Sequence, residues 1–169
     1  MDFLVNWINH PIGSGRRLQL DVTDLIWENA YCKVISDPEE YSDEYVEPGT
    51  LLFRVHQKPV KEPLRDNHGT VAQYKNDLNY IRIRNQSIPV NVEFDDHWVS
   101  FTDNPNVITS GYFLQKGLTG DVIVLRAKKA VKIASIGGLP FESEVVAPLH
   151  KSDVVEILEY EKFKQRYLE

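Results

Sequence analysis

The sequence predicts an α+β domain. Three observations lead there: a helix-prone, acidic first quarter, a series of short β-branched runs after Gly49, and Pro, Gly or Asn-Pro breaks between those runs. At 169 residues the chain has the length of one domain and can bury a core without covalent staples. We therefore expect a single domain over 1–169, with a helical and acidic portion over 1–48 and a β-rich core over 49–169.

Taken in order, Asp2 to Asn9 carries no clear pattern, and Pro11, Gly13 and Gly15 mark a turn. Asp21 or Thr23 would cap a short helix running through Trp27, Glu28 and Tyr31, with Leu25 and Ile26 on its apolar face. Asp37 to Glu47 holds six acidic residues (Asp37, Glu39, Glu40, Asp43, Glu44, Glu47) and no basic one. It reads as a solvated loop or fraying helix, with a docking surface for a basic partner as the other reading. Thr50 to His56 is a β-like run, and Lys58 to Asn79 is a polar loop with a helical stretch near Val71 to Leu78. Strand-like runs follow at Tyr80 to Ile83, Val90 to Phe94 and Trp98 to Thr102. Asp103-Asn104-Pro105 is a turn that would cap a short helix over Val107 to Phe113, which Gly117 to Gly120 ends. Asp121 to Leu125 is the clearest strand. Ala130 to Ile136 is another, stopped by Gly137-Gly138. Val145-Val146 and Val154 to Tyr160 complete the set, the latter also compatible with a helix.

Composition removes several classes of function. Nineteen Lys and Arg against 25 Asp and Glu give a net charge of −6, which opposes nucleic-acid binding by bulk electrostatics. No run of 18 apolar residues is present to span a membrane, and MDFLVNWINH lacks the basic start of a signal peptide, so a cytoplasmic protein is expected. Cys32 is the single cysteine, which excludes a disulfide within the chain and a multi-cysteine zinc site. The five histidines (His10, His56, His68, His97, His150) lie far apart, and no metal is expected. The chain holds no GxGxxG, P-loop, HExxH or CxxC pattern. Gly13-Ser14-Gly15-Arg16-Arg17 lacks the preceding strand that a phosphate loop needs.

Three separated pieces carry chemistry. Arg54 stands inside the apolar run Leu51-Leu52-Phe53-Arg54-Val55, where a buried guanidinium needs an anionic partner or an exposed strand face. Ser100 and Thr102 place two hydroxyls on one face of Val99-Ser100-Phe101-Thr102. Glu142 and Glu144, two apart in Phe141-Glu142-Ser143-Glu144-Val145-Val146, would point the same way about 7 Å apart on an extended chain. Paired carboxylates at that spacing suit glycosyl chemistry, one steadying an oxocarbenium ion while the other takes a proton. Each piece read alone also fits a structural salt bridge, an exposed strand or a solvated turn.

In order, Arg in LLFRV, S-x-[ST] in VSFT before DNP, and ExE in FESEVVAP resemble the Arg-Ser-Glu class of mono-ADP-ribosyltransferases. The resemblance spans about Gly49 to Tyr160 and implies that family's fold, two small packed sheets, antiparallel or mixed, with flanking N-terminal helices. It implies NAD as substrate, its phosphates held by Arg54 and its nicotinamide amide by the backbone of Val55. Ser100 would support the nicotinamide pocket and the catalytic glutamate, with Thr102 in the second hydroxyl position where a serine is more usual. Glu144 would contact the nicotinamide ribose, and Glu142 would deprotonate an arginine acceptor on a target protein. Leu139 and Phe141 would be the apolar contacts of a substrate loop. His56 invites comparison with the His-Tyr-Glu class, but there the histidine takes the position that Arg54 holds here. The same pieces fit an NAD glycohydrolase, and a non-catalytic β-rich binding module with an Arg54–Glu144 ion pair is the reading from another class. A transferase of this kind acts in its own cell or as a delivered toxin or effector. In the latter case the acidic stretch 37–47 suits an immunity or regulatory partner.

Overall fold

The computed structural model describes residues 20–57, 80, 83, 92, 94–109, 120–133 and 143–168. The chain runs through α1 (Leu20–Ser36), β1 (Leu51–Gln57), β2 (Trp98–Thr102), a 3-10 helix (Pro105–Thr109) and β3 (Gly120–Arg126). It continues through β4 (Val131–Lys132), β5 (Glu144–Pro148), a 3-10 turn (Lys151–Asp153), β6 (Val154–Glu159) and α2 (Tyr160–Tyr167). The fold is α+β. The six strands form one antiparallel sheet in the order β4-β5-β2-β1-β3-β6.

The pairing is uneven. β1 pairs with β3 from Leu51 opposite Arg126 to Gln57 opposite Gly120, and β2 pairs with β5 from Trp98 opposite Pro148 to Thr102 opposite Glu144. Between β1 and β2 the single matched position is Phe53 opposite Thr102. The sheet is thus two three-strand halves, β4-β5-β2 and β1-β3-β6, joined at a seam. The sequence led us to expect two sheets; the described strands form one, because that single pair keeps the halves hydrogen-bonded together.

Hydrophobic burial explains the halves. The side chains of β3 at Val122, Ile123, Val124 and Leu125 are wholly buried, so this strand is covered on both faces and reads as a continuous apolar run. Alternation sends Ile123 and Leu125 to one core, with Leu52 from β1, Phe101 from β2, and Val145 and Ala147 from β5. That core draws on both halves, so the sheet coils around it. Val122 and Val124 face the opposite way, onto Phe53, Tyr160 and Phe163. There α2 lays down an apolar stripe at Tyr160, Phe163 and Tyr167, with ring centroids of Phe53 and Phe163 5.6 Å apart and Phe53 and Tyr167 5.2 Å apart.

The outer face of the other half is closed by α1. Trp27, Ala30, Tyr31 and Val34, at helical spacing, pack against Trp98, Val131 and Val146. Trp27 stacks on Trp98 with centroids 6.3 Å apart. Asp24 accepts the Trp98 backbone N–H (2.9 Å) and holds His97 Nδ1 at 2.5 Å, while Glu28 accepts from Trp98 Nε1 at 3.3 Å. These bonds fix α1 to the start of β2. Among the described residues, no helix is long and apolar enough to cross a membrane.

Several local expectations change. The first helix extends from Leu20 to Ser36, so Asp21 and Thr23 fall inside it rather than capping it. Tyr80 and Ile83 are helical, and Val92 and Phe94 lie in no strand. The expected strand over Ala130 to Ile136 is reduced to Val131–Lys132 among the described residues, and the helix after Asn104 is a 3-10 helix over Pro105–Thr109. The acidic stretch is more than a solvated loop. Tyr45 bridges to Val131, and the Glu44 carbonyl accepts from the Lys132 backbone N–H at 2.9 Å, so the stretch extends the sheet edge at β4. The last strand ends at Glu159, where the helical alternative takes over as α2. The loop and helical stretch expected over 58–79 lie outside the described residues.

Candidate active site

Arg54, Ser100 and Glu144 come from three different strands and meet at the seam. β1 puts Arg54 on the face of Leu52, level with Ile123 on β3. β2 puts Ser100 and Thr102 on the face of Trp98, and the register with β5 sets Glu144 opposite Thr102 on that same face. The two faces communicate because β1 and β2 part beyond Phe53 and Thr102. Were their ladder to continue, Val55 would stand opposite Ser100. Instead the Arg54 guanidinium donates from Nη1 to the Ser100 carbonyl at 2.8 Å. On the other side of Ser100, its hydroxyl donates to Glu144 Oε1 at 2.7 Å. Ser100 therefore touches both charged groups, through its main chain toward one and its side chain toward the other.

The electrostatics of Arg54 are unusual. Burial lowers its pKa from the ordinary arginine value, and among the described residues no carboxylate lies within ion-pair distance of it. A guanidinium carries five N–H donors, and here one described bond, to a neutral carbonyl, is formed. The ion pair between Arg54 and Glu144 that a non-catalytic module would use is not formed. A half-buried guanidinium with no carboxylate beside it among the described residues is suited to receive an anion.

Thr102 is buried at the mouth of the turn that leaves β2. Its Oγ1 accepts the Asn104 backbone N–H at 3.2 Å, and Asn104 Oδ1 accepts the Asn106 backbone N–H at 3.1 Å. The Asp-Asn-Pro turn is thereby hydrogen-bonded onto the strand that carries Ser100. Val55 is half-buried in β1 beside Arg54. Glu142, Leu139 and Phe141 lie outside the described residues. The expectation that Glu142 and Glu144 point the same way rests on an extended residue between them. Ser143 instead has φ 47°, in the left-handed region, and β5 begins at Glu144, so the extended residue that the expectation needs is not present.

A polar cluster that the sequence reading did not single out surrounds Ser143. Its hydroxyl donates to Asp103 Oδ1, while Lys132 Nζ lies 2.8 Å from Asp103 Oδ2 and 3.3 Å from Ser143 Oγ. The one sequence signal is the Asp-Asn-Pro turn, which marks a turn and a cap but names no partner for Asp103. Lys132, on a two-residue strand, gave none.

No family model matches the chain, and the curated proteins and solved structures returned no match either.

Proposed function

We propose that this protein is a mono-ADP-ribosyltransferase that moves ADP-ribose from NAD to an arginine side chain of a target protein and releases nicotinamide. The observation that carries this reading is the meeting of Arg54, Ser100 and Glu144 through two hydrogen bonds, although Ser100 lies 46 and 44 positions from its two partners. In this reading the half-buried Arg54 fork takes the diphosphate of NAD, an anion whose oxygens match its bidentate geometry. The Val55 main chain holds the nicotinamide amide. Glu144, its carboxylate oriented by the Ser100 hydroxyl, lies under the nicotinamide ribose. Thr102 supports the turn beneath it.

The chemistry follows from charge. The bond between the nicotinamide nitrogen and the ribose breaks, its electron pair leaves with neutral nicotinamide, and a cation develops on the sugar. A carboxylate fixed beforehand by a hydrogen bond stabilises that charge without reorganising. The acceptor guanidinium, protonated below about pH 12, attacks once it loses a proton, and Glu142 is the proposed base. Leu139 and Phe141 are the proposed contacts to the acceptor.

The test is nicotinamide release from NAD by the purified protein, with and without agmatine, beside Glu144→Ala. We expect ribosylated agmatine from the wild type and a loss of roughly a thousandfold in Glu144→Ala. Nicotinamide release without ribosylated agmatine would make the protein a glycohydrolase on the same site. Absence of NAD turnover and binding would overturn the proposal in favour of a binding module.

A further inference from the structure

Ser143 adopts a backbone conformation that L-residues with a Cβ avoid, and it does so immediately before the strand that carries Glu144. Such a conformation persists only where the surroundings over-determine it. The surroundings here are three polar contacts from two other elements. Asp103, the first residue after β2, accepts the Ser143 hydroxyl on one carboxylate oxygen and pairs with Lys132 of β4 on the other at 2.8 Å. Lys132 Nζ also lies 3.3 Å from Ser143 Oγ. The backbone repeats the link, with the Asp103 N–H directed at the Ser143 carbonyl (3.4 Å) and the Ile133 N–H donating to the Glu144 carbonyl (3.0 Å). Asp103 and Lys132 are both partly shielded from water, at 24% and 31% side-chain exposure, so their attraction is less screened than that of a surface pair.

From this geometry we infer that Asp103 and Lys132 are positioning residues that act through Ser143. They hold the left-handed turn from which Glu144 enters β5, and so fix the main chain beneath the carboxylate that Ser100 orients from above. The inference rests on the NAD-consuming reading of the site. None of the three residues needs to touch NAD. Their contribution is to keep Glu144 in register with Ser100, and a displacement of about 1 Å at such a group is enough to cost roughly a hundredfold in rate.

The experiment compares the full-length wild type with Ser143→Ala, Ser143→Gly and Asp103→Asn, measuring nicotinamide release across NAD concentrations alongside the melting temperature. Ser143→Ala removes the hydroxyl but keeps the Cβ that disfavours positive φ, whereas glycine adopts that φ freely. We expect Ser143→Ala and Asp103→Asn to lower kcat roughly ten- to hundredfold with KM for NAD within about twofold, because NAD is held elsewhere. Ser143→Gly should recover much of the loss, which a hydroxyl with a direct chemical role would not allow. Wild-type kcat in Ser143→Ala and Asp103→Asn would overturn the inference. So would equal impairment in Ser143→Gly and Ser143→Ala, or a kcat loss that merely follows a lower melting temperature. If Asp103→Asn does not fold, the Ser143 pair decides alone. A wild type that consumes no NAD would overturn the functional reading and this inference with it, whereas an active wild type with unaffected variants would overturn the inference only.

Discussion

The two edges of β1 are used differently. Along one edge every residue from Leu51 to Gln57 has a partner on β3, and the paired residues bury Val122 to Leu125 completely. Along the other edge β1 meets β2 at Phe53 alone, and the space beyond is crossed by the Arg54 side chain rather than by a main-chain ladder. The paired edge holds the fold together. The open edge gives up some ladder bonds, and in return the Arg54 guanidinium reaches the Ser100 carbonyl, while the Ser100 hydroxyl holds Glu144 on the far side of β2. Substitutions should therefore divide cleanly, with those at the paired edge changing stability and those beside the open edge changing the proposed activity.

The sharpest way to break that division is Ile123→Asp on the paired edge. An uncompensated charge there should cost at least about 4 kcal/mol, a large share of the roughly 5–15 kcal/mol that holds a domain folded, and denaturant titration would show it. A folded, stable Ile123→Asp would contradict the account of β3 as the buried centre. Beside the open edge, Glu144→Ala should leave the melting temperature within a few degrees of wild type while, on the proposed reading, NAD turnover falls roughly a thousandfold. Arg54→Lys comes next. A point charge cannot reproduce the planar fork, so KM for NAD should rise about tenfold with little change in stability. An unchanged KM would remove Arg54 from phosphate binding.

The smallest expected effect lies on the α2 face. Burial, together with a hydrogen bond in which the phenol donates to Glu156 at 2.5 Å, pushes Tyr167 up to about 12. The unfolded phenol titrates near 10, so the folded state holds this proton more tightly. The stabilisation is therefore fully present below pH of about 10 and is lost as pH rises toward about 12. Tyr167→Phe should flatten the fall in melting temperature across that window. An identical fall in both proteins would mean that other groups control alkaline unfolding.

Much of this was legible in the sequence wherever local pattern and burial agree. Val122 to Leu125 is apolar without alternation because both faces of this strand are covered, and an unbroken apolar run is a local signal. Trp98 to Thr102 matched its strand because turn-forming residues bound it closely. The sequence reading also named Arg54, Ser100 and Glu144, because an arginine in an apolar strand, spaced hydroxyls and paired acids are each visible locally. What was not legible depends on partners distant in sequence. Nothing at Lys132 announces Asp103, and nothing at Ser143 announces a positive φ; both follow from β2, β4 and β5 lying side by side. The N-terminal helix was cut short because Asp21 and Thr23 favour caps, while the burial of Trp27 and Val34 against the sheet outweighs that preference. At Tyr80 and Ile83 a β-branched and aromatic composition suggested a strand, yet both residues are helical and exposed.

The position of β3 also governs how the chain can reach this state. Its two neighbours are β1, whose Leu51 pairs with Arg126, and β6, whose Glu159 pairs with Asp121. This middle strand of its half thus waits for segments on both sides of it in sequence, and the aromatic lid over Val122 and Val124 is supplied by α2, from Tyr160 onward. Contacts of such long sequence separation close slowly, since loop entropy is lost before any of them forms. A growing polypeptide released up to β5 would still expose the most apolar strand of the domain. Val122 and Val124 therefore stay uncovered on one face until α2 has been made.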